Sequence, residues 1–179
     1  MSEGLPLTHP YNLARLGKAG DEVRFAADAA QRARIAQWSG IKSLEGFEAR
    51  VEVKKLAPNR FGLTFHLAAD VTQSCVVTLE PVRRPMARSF RRELGFVGAQ
   101  RHTPAVPAES ETVLDSGEEE GPEEIESLHI DLAIPLLEEF ALSLDPYPRV
   151  PGVEFAPQSP ASGQPESPFA VLKGLKQGP

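Results

Sequence analysis

Residues 47–53 read Phe-Glu-Ala-Arg-Val-Glu-Val, so apolar and polar side chains alternate at every position. Because successive side chains of a β-strand point to opposite faces, this period of two predicts a strand with one buried and one wet face. We expect the strand to cover residues 47–56 and a turn to follow at residues 58–60. Residues 61–68 alternate in the same way and predict an adjacent strand.

A third strand is predicted over residues 74–82, which read SCVVTLEPV. Cys75 and Val77 share one face and Val76 lies on the other, so this strand is apolar on both sides and is expected inside the sheet. Residues 88–97 predict a fourth strand. Sequential strands with short turns favour an antiparallel β meander. The predicted fold class is therefore α+β, with a curled sheet or partly open barrel covered by one or two helices.

Two helices are predicted from their ends and their apolar positions. Asp28 is a suitable N-cap for a helix over residues 29–38, and Gly40 is a suitable stop. Asp131 is a suitable N-cap for a helix over residues 132–144. The side chains of the second helix that are expected to pack on the sheet are Leu132, Leu136, Leu137, Phe140 and Leu144.

The chain is expected to divide into a folded part and a tail. Residues 1–150 predict a single α+β domain that begins with a hairpin of residues 8–16 and 22–26. Within that domain, residues 98–126 are rich in carboxylates and predict a disordered acidic loop. Residues 151–179 are rich in Pro and Gly and predict a linker that ends in a short docking helix.

The net charge of −6 hides an uneven distribution of charge. Residues 109–126 hold nine acidic side chains and no Lys or Arg, whereas residues 83–101 hold six arginines. Arginine presents a planar fork to phosphate, so the arginine segment predicts contact with RNA or a ribosome. A solvated strand face is the alternative. The candidate contact residues are Arg83, Arg84, Arg88, Arg91 and Arg92.

Residue chemistry offers little support for catalysis or metal binding. Cys75 is the single cysteine, and with valines beside it a core position is expected rather than a nucleophile. The four histidines lack the spacing of metal ligands, and no Gly-rich phosphate loop is present. The sequence therefore predicts a protein that is not an enzyme, with no catalytic residue, no cofactor, no metal and no small-molecule substrate.

The chain is expected to be cytoplasmic. One cysteine fits a reducing compartment, and the first residues show no signal peptide. No apolar run approaches the length of a membrane helix, so no membrane partner is predicted.

A short apolar segment near the end of the chain is predicted to bind another surface. Ser167 as N-cap and Pro168 in the first turn favour a helix start. Because a helix this short is not stable alone, it must pack against another surface. The candidate docking residues are Pro168, Phe169, Val171, Leu172 and Leu175.

Three stretches of the chain point to one known family. They are residues 75–82 (CVVTLEPV), residues 130–144 (with Ile130-Asp131-Leu132 at their start), and residues 168–176 (PFAVLKGLK). Their order and motifs resemble the YceD family of large ribosomal RNA subunit accumulation proteins, in its alphaproteobacteria-like form. Many members carry a Cys-x-x-Cys pair and a later cysteine. Here Thr78 replaces the second cysteine and no later one exists, so a metal or redox role is not carried over.

The resemblance implies a small non-enzymatic factor that supports accumulation of 23S rRNA and assembly of the large ribosomal subunit in bacteria. Its expected partner is 23S rRNA or a pre-50S particle. A second hypothesis is a protein-interaction adaptor, which recruits a partner through the terminal PFAVL motif without touching RNA. A cysteine-dependent enzyme is the third.

Overall fold

The alternating stretch at residues 47–53 lies within a long antiparallel strand. The structure, a computed structural model, describes residues 4–98 and 121–154. Over those residues the strands are β1 (Pro10–Asn12), β2 (Asp21–Ala26), β3 (Ser43–Ala57), β4 (Arg60–Ser74), β5 (Pro81–Phe96), β6 (Glu123–Ile125) and β7 (His129–Asp131), and the helices are α1 (Ala29–Ser39) and α2 (Ala133–Leu142).

The main sheet has the order β2-β3-β4-β5-β6 and is not closed into a barrel. Strands β2 to β5 are antiparallel to their neighbours, and β6 adds a short parallel pairing to the end of β5. A separate pair joins β1 to β7. The α+β class and the meander of β3, β4 and β5 are therefore confirmed.

The core lies on one face of this sheet. Val51, Phe65 and Phe90 occupy one row across β3, β4 and β5, and the rings of Phe65 and Phe90 stack with centroids 4.7 Å apart. The next residue of β4, His66, points to the other face and is only half-buried. This alternation buries the odd-numbered residues of β4, which are Phe61, Leu63, Phe65, Leu67, Ala69 and Val71.

Helix α1 begins and ends as the sequence predicts. The Asp28 carboxylate accepts a hydrogen bond from the Gln31 N–H at 2.8 Å, and the Gln31 side chain accepts one from the Asp28 N–H, which makes a capping box. Gly40 ends the helix in the left-handed conformation, at φ 68°. Ile35 and Ala36 are the residues of α1 that join the core.

Helix α2, near the end of the described residues, also packs on the core. Leu132, Leu136, Leu137 and Phe140 are buried as predicted, and Leu144 is partly buried against the core. Asp131 precedes the helix and its Oδ1 accepts hydrogen bonds from the backbone N–H of Ala133 and His9. The same carboxylate therefore joins the first residue of α2 to the β1–β7 pair. The predicted cap and bounds are corrected: Leu132, not Asp131, is the N-cap, and the helix runs from Ala133 to Leu142.

The predicted hairpin of residues 8–16 and 22–26 is wrong. β1 pairs with β7, with Tyr11 opposite Ile130, and β2 pairs with β3, with Val23 opposite Val51. The local alternation correctly indicates short strands, but it carries no information about partners distant in sequence. Leu13 follows β1 and is buried in the core, which holds this segment away from β2.

The predicted third strand, residues 74–82, is also wrong: most of it forms the turn between β4 and β5. The Cys75 N–H donates to the Glu80 carbonyl at 2.8 Å, and the Leu79 N–H donates to the Cys75 carbonyl at 3.0 Å. The chain reverses here through Leu79, at φ 63°. The apolar run is typical of a buried strand, but here Cys75 is buried within a turn while Val76 and Leu79 are exposed. The central strand is β4, and the predicted fourth strand is β5, which begins earlier than expected at Pro81.

The predicted loop over residues 98–126 is corrected at its end. Glu123–Ile125 forms β6 beside the last residues of β5, with Leu94 opposite Glu123. Two glutamates at an edge of the sheet remain exposed, so their charge does not prevent strand pairing. Residues 99–120 of the predicted loop lie outside the described residues.

Replacing Phe140 tests how strongly α2 depends on the sheet. Its ring meets Phe47 edge-on with centroids 5.6 Å apart, and both side chains are buried. We expect Phe140→Ala to lower the free energy of unfolding by about 3–5 kcal/mol, because it leaves a cavity between helix and sheet. Urea unfolding measures this loss. The control Leu142→Ala, at an 82% exposed position of the same helix, should change stability little; equal losses would contradict the packing.

Candidate nucleic-acid interface on strand β5

The five candidate arginines lie on two faces of one strand. Because β5 is pleated, its residues alternate between the core face of the sheet and the opposite face, called here the open face. Arg84, Arg88 and Arg92 alternate with the half-buried Met86 and Phe90 on the core face. The remaining two, Arg83 and Arg91, lie on the open face. The arginine run in the sequence is therefore not one surface.

The three core-face arginines reach α2 or the residues beside it. Arg84 Nη1 lies 2.8 Å from Asp145 Oδ2, and Arg88 Nε donates to Ser143 Oγ at 2.9 Å. Arg92 bridges two glutamates, Glu138 at 3.1 Å and Glu123 at 3.7 Å. These contacts line the boundary between β5 and α2. Because these groups are largely exposed, each contact contributes modestly to stability.

The two open-face arginines make shorter-range contacts. Arg83 Nη2 lies 3.6 Å from Asp70 of β4, and Arg91 Nη2 lies 2.9 Å from Glu93 on its own strand. Their side chains are 63% and 58% exposed. Exposed ion pairs of this kind contribute little to stability, so these guanidinium groups can exchange a carboxylate for a phosphate at small cost.

A shallow depression of about 690 Å³ crosses the open face between these two arginines. One of its rows is Arg24, Arg50, His66 and Ser89, taken from four adjacent strands. The row two residues along is Ala26, Glu48, Ala68 and Ala87, which leaves space above the sheet. The basic row is partly neutralised, because Glu22 contacts both Arg24 and Arg50.

The turn at Cys75 is held by its sulfur. The thiol is fully buried, and Sγ lies 3.4 Å from the backbone N–H groups of both Val77 and Thr78. The hydroxyl of Thr78 contributes most to lowering the pKa of the thiol from its ordinary 9.0 to about 6. The N–H groups of Thr78 and Val150 also lower this pKa, and burial opposes them. Cys75 is a core residue as predicted, although it lies in a turn and not in a strand.

The segment after α2 packs on this turn. The Val76 N–H donates to the Pro148 carbonyl at 2.9 Å, and Gln73 donates to the Asp145 carbonyl at 2.9 Å. Arg84 adds a contact to the Arg149 carbonyl at 3.4 Å. Residues 143–150, called here the exit segment, are thus fixed to the β4–β5 turn.

Other kinds of site find no support in the part of the chain that the structure describes. Across residues 4–98 and 121–154, no three His, Cys, Asp or Glu side chains come together as a metal site. Among the same residues, no helix is long and apolar enough to cross a membrane. The candidate docking residues Pro168, Phe169, Val171, Leu172 and Leu175 lie outside the described residues.

The fold and this surface define an α+β protein with an open sheet, one face covered by the core and the other carrying exposed arginines. Residues 63–176, well over half of the chain, match the model of the family described as large ribosomal RNA subunit accumulation protein YceD. The chain therefore belongs to the YceD family. No curated protein and no solved structure shows a significant match to it.

The match covers the β4 and β5 part of the candidate surface, whereas Arg24 and Arg50 lie outside it. It begins within β4 at Leu63 and takes in β5, the Cys75 turn and α2. The preceding β1, β2, α1, all of β3 and the first three residues of β4 lie outside it. Family membership also links this chain to accumulation of the large-subunit ribosomal RNA, which is the role in the family's description.

Sequence reasoning misses the residues that hold the arginines in place. In the sequence, Asp145 indicates only the end of a helix, and Ser143 carries no signal of its own. When basic residues alternate along a predicted strand, an acidic or hydroxyl residue just after a predicted helix indicates a partner for them. Leu79 is typical of a strand residue, and its left-handed backbone leaves no mark in the amino-acid sequence.

A double-mutant cycle tests whether Arg84 fixes the exit segment. We expect Arg84→Gln and Asp145→Asn to show a coupling of about 0.5 kcal/mol in urea unfolding, a modest value because both groups are partly exposed. The coupling should shrink in high salt. Arg91→Gln is the matched control, since its partner lies on the same strand. A coupling of zero would show that the pair does not hold the segment.

The pH dependence of stability tests the Cys75 turn. Because the folded-state pKa of about 6 lies below the unfolded value of 9.0, the thiolate adds to the free energy of unfolding above pH 9. This contribution is lost as the pH falls through about 6. Thr78→Val should raise the thiol pKa and weaken the dependence, whereas Thr64→Val on the open face should not. Ultraviolet absorbance of the thiolate follows the titration.

Alkylation provides the second half of this test. Because the sulfur is fully buried, we expect iodoacetamide to react slowly at neutral pH even though the thiolate is present. Rapid alkylation of the folded protein would contradict the buried turn, and a thiol pKa near 9 would contradict the hydrogen bonds.

Proposed function

We propose that the protein is a non-enzymatic ribosome biogenesis factor that binds 23S rRNA or a pre-50S particle in the bacterial cytoplasm. The family match over residues 63–176 is the observation that carries this proposal. Accumulation of an rRNA requires that its precursor be protected or assembled, and a binding protein can do both without catalysis. The proposed function therefore places RNA contact on the folded domain.

The open face is the surface proposed for that contact. Arg83 and Arg91 are eight residues apart on one strand, so their Cα atoms are separated by roughly 26 Å. Between them lies the depression with Arg24, Arg50 and His66 at its base. A folded RNA segment can follow a surface of this length by its phosphates. On the other face of β5, Arg92 contacts Glu138 of α2, and Arg84 and Arg88 contact Asp145 and Ser143 just after that helix.

The main test is crosslinking in bacterial cells followed by sequencing of the bound RNA. We expect enrichment of 23S rRNA precursors with the native chain, and no enrichment with Arg83→Gln/Arg91→Gln. In vitro, that pair of changes should reduce the dependence of log K on log salt by roughly 0.7–0.9 for each phosphate that the arginines no longer neutralise. Arg34→Gln on α1 is a charge-matched control and should behave as the native chain.

The outcomes separate the parts of the proposal. Deleting the protein should lower the amount of 23S rRNA, and normal amounts would overturn the biogenesis role. Reduced 23S rRNA without any crosslinked rRNA would favour the adaptor hypothesis, in which residues 168–176 recruit another protein. That hypothesis is supported by the extent of the family match, which continues to Lys176.

A further inference from the structure

Three large apolar side chains are exposed where the β4–β5 turn meets the exit segment. Val76 is 47% exposed, Leu79 74% and Tyr147 70%. The two segments are joined directly, because the Val76 N–H donates to the carbonyl of Pro148, the residue after Tyr147. We call Val76, Leu79 and Tyr147 the turn patch.

Leu79 is the least expected member of this patch. Its φ of 63° lies in the left-handed region, which glycine and asparagine adopt much more readily than a bulky side chain. At the same position its side chain is three-quarters exposed. Within the described residues, the leucine side chain neither favours the turn conformation nor packs in the core. Contact with a further apolar surface would explain its presence.

We propose that residues 168–176 of the same chain pack on the turn patch. This segment offers Phe169, Val171, Leu172 and Leu175 as apolar partners for the patch. Its Lys173 and Lys176 are complementary to the exposed Glu80 of the turn. The assignment goes beyond the proposed function and does not rest on it.

The path of the chain favours this occupant over another molecule. The described residues end at Glu154, six positions after Pro148, whose carbonyl accepts the hydrogen bond from Val76. Residues 155–167 separate Glu154 from the terminal segment by 13 residues, and a chain of that length has a root-mean-square span of roughly 20 Å. A segment tethered at that distance has an effective concentration in the millimolar range. At such an effective concentration, weak apolar contacts are sufficient to keep the segment bound to the patch.

The family match covers both segments. It runs from Leu63 to Lys176 and so includes the turn patch and residues 168–176. A second exposed apolar position, Trp38 on α1, is 46% exposed but lies outside the matched residues. Trp38 therefore serves as the competing surface against which the proposal is tested.

Amide chemical shifts of the full-length protein test the proposal with variants on each side of the contact. We expect Phe169→Ser to shift the amides of Val76, Leu79 and Tyr147. Leu79→Asn, which keeps a residue suited to the left-handed turn, should shift the amides of residues 168–176. The double variant should shift little more than either single variant, because both remove the same contact. Trp38→Ala is the control and should leave residues 168–176 unchanged.

Three results would overturn the assignment. The first is that Phe169→Ser leaves the turn patch unshifted while Leu79→Asn leaves the terminal segment unshifted. The second is a shift of the Trp38 indole N–H on Phe169→Ser, which would place the segment on α1. The third is dissociation of the segment from the patch on dilution, which would identify a second copy of the chain as the partner. Shifts at the patch that do not change with concentration would support the proposal.

Discussion

The alternation of β4 between a core face and an open face is the constraint on which the rest of the structure depends. β4 has a strand on each side, and its odd-numbered residues build the layer that receives α1 and α2. Burying a row such as Val51, Phe65 and Phe90 fixes the register, since a slip of one residue would expose all of it. The register with β4 also determines which residues of β5 face the core. It thereby places Arg84, Arg88 and Arg92 on the core face and Arg83 and Arg91 on the open face.

The local parts of this fold are predictable from the sequence, and the long-range parts are not. Strands β3 and β4 follow from side-chain alternation, and α1 follows from Asp28 and Gly40, because these signals act within a few residues. The pairing of β1 with β7 and of β6 with β5 joins segments distant in sequence, which no local pattern specifies. The turn at Cys75 escapes prediction because a buried thiol and a left-handed Leu79 look like a buried strand.

The candidate site shows the same division. The sequence predicts the arginines as one patch, because a run of charges does not reveal the pleat of its strand. Asp145 and Glu138 bind Arg84 and Arg92 at the exposed boundary between β5 and the α2 region. Three arginines therefore contribute to the architecture, and the proposed RNA surface is carried by Arg83 and Arg91. The family match links the chain to accumulation of large-subunit ribosomal RNA, whereas the proposal of Arg83 and Arg91 rests on the register of β5.

The most direct test of this account follows the arginine Nε–Hε resonances of the full-length protein during titration with a 23S rRNA fragment recovered by crosslinking. Each guanidinium group reports separately, so the two faces of β5 are read in one experiment. The account predicts that Arg83 and Arg91 shift while Arg84, Arg88 and Arg92 keep their free-state positions. Shifts confined to the core-face arginines, with Arg83 and Arg91 unchanged, would contradict it.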